Sequence, residues 1–393
     1  MKAALLTFSV SRAYGGVFEI CRRTAQTLAK EQAVDVSVFG LEDEFTRADL
    51  GEWRPLEPHC FRARGPRAYG FAPDLMRALD AEQPEVAHVQ GIWTFATLAA
   101  RRWAGRAARP YLVTSHGMLE PWALRQSRWK KLLAALLFEK TSLAGAACLH
   151  VNTDQERRHI RDYGLRNPVC VIPNGVDLPE DNEAPVLPPW SDRIPADAKV
   201  LLYLGPLHPK KGLPQLLQAW SMARRAVLAQ ARDWHLGIAG WDQEGHEACL
   251  QAQVSAAGLS KCVHFLGPQF GAARAAVYRN AQAFILPSFS QGLPMAVLEA
   301  WAHRLPVLMT RQCHLPEGFA AHAAMPLEPT ADSIAIGLEN LFRAAAKDRE
   351  EMGRRGRELV TARFSWSRVA ASLHEVYRWV LGGGAKPECV VTA

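Results

Sequence analysis

Short, continuously apolar runs separated by segments of helical period recur along this 393-residue chain. In the first half they are Ala3–Phe8, Val86–Val89, Tyr111–Thr114, Ala147–Val151 and Val169–Ile172, with helical stretches such as Val17–Lys30 and Trp93–Trp103 between them. A strand whose residues are all apolar must be covered on both faces, and that requires a parallel sheet between two layers of helices. The first half therefore predicts a doubly wound α/β domain.

The same alternation returns after a break. Runs at Val200–Leu204, Leu236–Ala239, Val263–Leu266, Phe284–Leu286 and Val307–Met309 alternate with helical segments that include Leu213–Arg225 and Pro294–His303. Two α/β domains are expected, over residues 1–177 and 199–364, in keeping with the usual domain size of roughly 100–200 residues. Residues 178–198 hold Pro179, Pro185, Pro188, Pro189 and Pro195 among acidic residues. Such a composition resists regular structure and is expected to form the linker. From Asp332 the period stays helical to Leu381, and residues 382–393, opening on three glycines, are expected to be a disordered tail.

Eight cysteines lie far apart with no Cys-x-x-Cys pair and no zinc spacing, which suits a reduced, cytoplasmic compartment. The opening MKAALLTFSV turns polar too soon for a signal peptide and is expected to be a first buried strand. No stretch approaches the ~18 uninterrupted apolar residues of a spanning helix. The charge is uneven: residues 1–175 carry 24 Lys and Arg against 18 Asp and Glu, whereas the remainder is almost balanced. A basic first half suits an anionic partner or simply favours solubility.

In open α/β sheets, ligands bind beyond the carboxyl ends of the strands, so the loops there hold the candidate chemistry. The richest is PSFSQGLPMAVLEA, residues 287–300, where a strand leads through Ser288–Gly292 into a helix with Pro294 near its start. The amides of Gly292, Leu293 and Met295 are expected to face an incoming anion, since a helix start offers unpaired N–H groups and a positive dipole end. Glu299, over a turn further in, could accept hydrogen bonds from both hydroxyls of a ribose. The alternative is a plain strand–loop–helix unit with an exposed glutamate.

In GPLHPKKGL, Lys210 and Lys211 stand at or just before a helix start, where the dipole disfavours cations by about 0.3–1 kcal/mol each. A diphosphate there would offset the cost; otherwise both lysines point into solvent. In SVSRAYGGV, Gly15 and Gly16 let a ligand approach the backbone, although the GxGxxG spacing is absent and two glycines also suit an ordinary turn. In VTSHGMLEPWAL a strand ends at Thr114 and presents His116, which could bind a sugar hydroxyl or developing charge. His88 and His150 fall inside strands and are expected to be satisfied core residues. Trp129, Leu132, Leu133, Leu136 and Leu137 share a helical face ringed by Arg125, Arg128, Lys130 and Lys131. That stripe is expected to pack on its own domain with the basic residues solvated, a membrane-surface helix being the alternative.

Taken in order, YGG, SHG, IPNGVD, LGPLHPKKG and PSFSQGLPMAVLEA resemble the family 4 glycosyltransferases over roughly residues 3 to 380. The resemblance implies retaining enzymes of the GT-B fold, with two Rossmann-like doubly wound domains facing across a cleft and a final helix, residues 365–381, crossing back. It implies that Glu299 binds ribose, that Lys211 binds diphosphate, that His116 lies on the sugar side, and that Gly15 and Gly16 line a phosphate-proximal loop. No metal or other cofactor is implied, and no Asp-x-Asp occurs.

Two positions depart from the family pattern: Gln291 stands where a glutamate is usual, and Pro206 where an arginine is usual. Gln291 can still accept a hydrogen bond from a sugar hydroxyl and can also donate one, so altered sugar preference is expected. A lost charged hydrogen bond costs roughly 1.5–3 kcal/mol, which Lys210 or Arg12 could compensate. The implied partners are a UDP-, GDP- or ADP-sugar and a glycan or lipid-linked acceptor, with no nucleic acid; the basic half admits peripheral contact with an anionic membrane at its inner face. The alternatives are a catalytically weak partner of another transferase and a nucleotide-sugar epimerase on the same fold.

Overall fold

The structure, a computed structural model, describes residues 1–179, 186–243 and 245–392. In chain order its strands begin with β1 (Lys2–Ser9), β2 (Asp35–Leu41), β3 (His59–Phe61), β4 (Val86–Gln90), β5 (Tyr111–Thr114), β6 (Cys148–Val151) and β7 (Val169–Val171). They continue with β8 (Lys199–Leu204), β9 (Trp234–Ala239), β10 (Val263–Gly267), β11 (Ala283–Leu286), β12 (Val307–Thr310), β13 (Ala324–Leu327) and β14 (Val390–Val391). The chain forms two units: Met1–Gly175 with Trp366–Ala393, and Val176–Ser365.

The first unit is built on the sheet β14-β7-β6-β5-β4-β1-β2-β3, parallel except where β14 runs antiparallel to β7. Successive residues of β1 serve opposite cores, which is why the run is apolar throughout. Ala4 and Leu6 join one cluster with Leu79 and Ala99, while Ala3 and Leu5 join the other with Leu28 and Leu373. The second cluster is closed by helix Gly16–Glu31 and by helix Trp366–Val380 from the far end of the chain. Tyr377 of that last helix bonds His88 Nδ1 at 2.7 Å, and His88 Nε2 meets Thr114 Oγ1 at 2.7 Å. His150 Nδ1 lies 2.9 Å from Thr114 Oγ1, and its Nε2 lies 2.9 Å from the Ile172 carbonyl oxygen. Both histidines are thus satisfied core residues.

The second unit holds the parallel sheet β10-β9-β8-β11-β12-β13 around its own core. In each sheet the chain moves outward through three strands and returns to the other side of the first: β4 beside β1, and β11 beside β8. These reversals are the topological switch points, and the loops after the strands that flank them are the natural ligand positions.

Two expectations are corrected. Residues 382–392 are ordered: the Val171 amide donates to the Cys389 carbonyl at 2.9 Å, and Val390 and Val391 pair with Cys170 and Val169. An exposed edge of β7 would leave backbone groups unpaired, and the tail covers it while burying Val390. Of the expected linker, residues 180–185 lie outside the described residues, and residues 186–198 fold onto the second unit. There Trp190 and Ile194 are buried in the core, because two large apolar side chains outweigh the prolines around them.

Candidate active site

In the second unit, β8 and β11 flank the switch point, and their following loops are locked together. After β8 the chain makes a short 3-10 turn, Pro209–Lys211, capped by His208 Nδ1, which accepts the Lys210 amide at 3.1 Å. Gly212 follows with φ +73°, and a Cβ there would stand 2.2 Å from the Pro287 carbonyl oxygen. Only glycine permits that approach. The Phe289 amide donates to the Lys210 carbonyl at 2.9 Å, and Thr310 Oγ1 donates to the Ser288 carbonyl at 2.6 Å.

Between these loops Lys211 is only 5% exposed, and its Nζ donates to Gln291 Oε1 at 2.5 Å. Burial, aided by the neighbouring Lys210 charge, pushes the Lys211 ammonium down to about 8. A buried cation whose side-chain partner is a neutral amide oxygen has hydrogen-bonding capacity left for an anion. Beyond Gln291 the Gly292 and Leu293 amides make no backbone hydrogen bond among the described residues. The Met295 amide does not join them: it donates to the Leu293 carbonyl at 3.1 Å, because Pro294 sits as the cap and the helix Met295–Ala302 begins one residue later than the pattern predicted. The Ser288 hydroxyl is buried beside this loop with no hydrogen-bond partner among the described residues.

Glu299, on that helix, is not a lone carboxylate. Arg274, on helix Gly271–Asn280, grips it with Nε to Oε2 and Nη2 to Oε1, each at 2.9 Å. Burial alone would lower the guanidinium, but the Glu299 charge raises it. The fork takes one lone pair of each oxygen and fixes the carboxylate in place, with the buried Tyr278 hydroxyl beside the same pair. Arg274 lies 25 residues from its partner, and no local motif announces it. Of the departures, Pro206 uses its carbonyl to accept from Tyr203 Oη at 2.9 Å and brings no charge. Arg12, offered above as a substitute cation, is committed within the first unit, its amide and Nε donating to Asp49 at 2.8 and 2.9 Å.

In the first unit the loop after β1 carries Gly15 and Gly16. Gly15, φ +59°, caps helix Gly16–Glu31, both glycines are exposed, and a Cβ at either would meet nothing within 4 Å. Ser115 to Met118 form a tight turn after β5, closed by the Met118 amide donating to the Ser115 carbonyl at 2.9 Å. Its central residues, His116 and Gly117, have φ +46° and +72°. His116 Nε2 lies 3.0 Å from Gln90 Oε1 at the end of β4, which places the proton on Nε2. Burial, with His150 nearby, pushes its pKa down to about 3, so it is a neutral hydrogen-bonding group at neutral pH. Lys211, Gln291, Gly292, Leu293 and Glu299 thus belong to one unit, and Gly15, Gly16 and His116 to the other.

One surface differs from expectation. Among Trp129, Leu132, Leu133, Leu136 and Leu137 none packs into a core; all are 50% to 76% exposed. The helix is held instead by the next turn, where Phe138 and Glu139 are buried.

Comparison with known proteins matches residues 14–180 to the family model Glycosyltransferase Family 4 and residues 189–359 to Glycosyl transferases group 1. A D-inositol 3-phosphate glycosyltransferase of Kineococcus radiotolerans is 30% identical over 61% of this chain, an alignment spanning 59% of that relative's length. Another enzyme of that name, from Frankia alni, is 29% identical over 90% of this chain and 84% of its own. Sucrose-phosphate synthase of Thermosynechococcus elongatus has the same fold with a TM-score of 0.71 at 20% identity, covering 97% of this chain and 100% of that one. Anabaena HepE, solved with UDP and glucose, gives 0.70 at 17%, covering 96% and 99%.

Proposed function

Because the chain belongs to the group 1, family 4 glycosyltransferases of GT-B fold, we propose that it moves a sugar from a nucleotide-diphosphate sugar to a hydroxyl of a glycan or lipid-linked acceptor, with retention and without a metal. The observation that carries this reading is the buried Lys211 ammonium, held beside Gln291 and the unbonded Gly292 and Leu293 amides at the switch point of the second sheet. These donors are preorganised for the charge that grows on a departing nucleoside diphosphate, and electrostatic stabilisation of that kind is the largest lever a transferase has. Glu299, fixed by Arg274, takes the ribose hydroxyls. Gln291 accepts from a sugar hydroxyl, and neutral His116, its Nε2 proton committed to Gln90, accepts from the sugar through Nδ1. Gly15 and Gly16 line the phosphate side. The departing phosphate oxygen accepts the acceptor proton on the face from which it leaves, which gives retention.

HepE was solved with UDP, so UDP-sugars head the donor panel, followed by GDP- and ADP-sugars. The curated relatives are named for inositol 3-phosphate, so a phosphorylated polyol joins the acceptors. A thermal shift with one donor, followed by diphosphate release that a chelator leaves unchanged and a product of retained anomeric configuration, is the expected outcome. No release with any pair would overturn the reading. Pro206 and Gln291 favour one alternative, a weakly active partner of another transferase; binding by calorimetry without turnover would support it. An epimerised donor formed without acceptor would instead indicate an epimerase. Among the described residues no helix is long and apolar enough to cross a membrane, and the location proposed is cytoplasmic, in peripheral contact with the inner face.

A further inference from the structure

The most unusual surface lies outside the candidate site, on residues 121–138 of the first unit. A short helix, Pro121–Arg125, is followed by Arg128–Ala134, which runs on through a π-turn, Ala135–Glu139, into Lys140–Ala144. Trp129, Leu132, Leu133, Leu136 and Leu137 recur at helical spacing along one side, and Trp122 stands exposed on the preceding helix. Six large apolar side chains within sixteen positions form a contiguous exposed stretch of a kind that marks an interaction surface.

The base of this surface is fixed. Phe138 packs edge-on to Tyr69 with ring centroids 5.4 Å apart, and Glu139 Oε2 accepts from the Trp93 amide at 3.1 Å and Thr97 Oγ1 at 2.9 Å. Lys131 Nζ donates to the Ala123 carbonyl at 2.5 Å and joins the two helices. The stripe is therefore displayed by a folded support.

The charges select the occupant. Residues 121–138 contain Arg125, Arg128, Lys130 and Lys131 and no acidic residue, and the next carboxylate, Glu139, is buried and turned inward. A second copy meeting this face symmetrically would set four cations against four. An anionic lipid surface satisfies both halves of the pattern. Leucines enter the acyl boundary, tryptophans sit at headgroup level, and lysines and arginines meet the lipid phosphates.

We propose that the segment Trp122–Leu137 docks this protein on an anionic bilayer, with the leucine stripe inserted at the headgroup–acyl boundary. The proposal deepens the peripheral location given above and is independent of which sugar is transferred. Its test is co-sedimentation of the full chain with phosphatidylcholine vesicles, with and without phosphatidylglycerol. Binding is expected with the anionic lipid and about a hundredfold less after Arg125→Gln, Arg128→Gln and Lys130→Gln together. Leu136→Glu with Leu137→Glu is expected to lower it more than tenfold, while donor-induced thermal shifts stay unchanged because these side chains are exposed and remote from Lys211 in sequence. Full binding by the leucine variant, or no binding of the native chain to anionic vesicles, would overturn the proposal. A native dimer abolished by the leucine variant would also overturn it by placing a second copy on the face. Vesicle binding by a native chain that releases no nucleoside diphosphate with any donor and acceptor would refute the transferase reading alone.

Discussion

Lys211 is kept charged in a place that disfavours charge, and the cost can be read. Its folded pKa, about 8, lies below the ordinary lysine value of 10.5, so the stability it contributes is present above the ordinary value and lost as pH falls through about 8. At neutral pH the buried ammonium costs on the order of 3 kcal/mol. Lys211→Met is therefore expected to raise the melting temperature while abolishing the donor-induced thermal shift, a trade of stability for function. A melting temperature that falls would show that the ammonium is well satisfied without a ligand. Native donor affinity, followed by calorimetry, is expected to be flat up to about pH 8 and then to drop about tenfold per unit as the ammonium is lost. Arg274 acts at one remove, as a positioning residue. Arg274→Gln is expected to raise the donor KM about tenfold and change kcat less, and to shrink the penalty for a 2′-deoxyribose donor. An unchanged penalty would detach Glu299 from the ribose. Lys211, Gln291 and Glu299 were legible as candidates because each lies in a loop–helix motif whose local chemistry suits an anion or a hydroxyl. Arg274 and Gln90 were not, since a partner reached across the fold leaves no spacing in the sequence.

At the scale of elements, strands were legible where burial alone shapes them. β1, β5 and β11 read as continuous apolar runs because helices cover both faces. β2 hides its character behind Ser37, whose hydroxyl is buried only because it donates to Glu82 Oε1 at 2.7 Å, 45 residues away. β13 carries Pro326, tolerated because β13 is an edge strand, and β3 has only three residues. The stripe at Trp129–Leu137 shows the converse failure: amphipathic period identifies a helix but does not say whether its apolar face meets protein or lipid. The π-turn that ends the stripe carries its own prediction. Glu139 is fully buried, and desolvation lifts its pKa from 4.5 to about 7 against the bonds from Thr97 and Trp93. Tyr69, Tyr111 and Tyr163 are its other titratable neighbours, and all three are themselves raised. A raised carboxyl contributes stability below about pH 4.5 that is lost as pH rises to about 7. Glu139→Gln keeps the acceptor for both bonds and removes the titration. It is expected to melt like the native chain near pH 5 and to be more stable by on the order of 3 kcal/mol at pH 8. Parallel melting curves at both pH values would show that the carboxyl is not desolvated in solution.

At the scale of the molecule, two units of unlike construction share one chain. The second unit is continuous from Val176 to Ser365, whereas the first is assembled from both ends. Its returning helix buries Trp366, Val369, Ala370, Leu373, Val376 and Tyr377, and β14 covers the β7 edge. At about 1.5–3 kcal/mol for each large apolar side chain, that helix is worth on the order of 10 kcal/mol, comparable to the whole stability of a typical domain. A chain ending at Ser365 is therefore expected to lose the fold of residues 1–175, seen as rapid proteolysis there and disordered amide resonances. The second unit should survive, because Lys211, Gln291 and Glu299 and the core beneath them lie within it, and a nucleotide-sugar should still raise its melting temperature. Tyr377→Phe is the finer probe. It leaves the ring packed but takes the hydroxyl from His88 Nδ1, which is wholly buried and has its pKa held far below the ordinary value by burial. The loss is expected to cost about 1–3 kcal/mol in the first unit, with donor binding to the second unchanged. If the truncated chain kept residues 1–175 folded, the returning helix would be an accessory to the first core; if Tyr377→Phe weakened donor binding as much as stability, the two units would unfold as one.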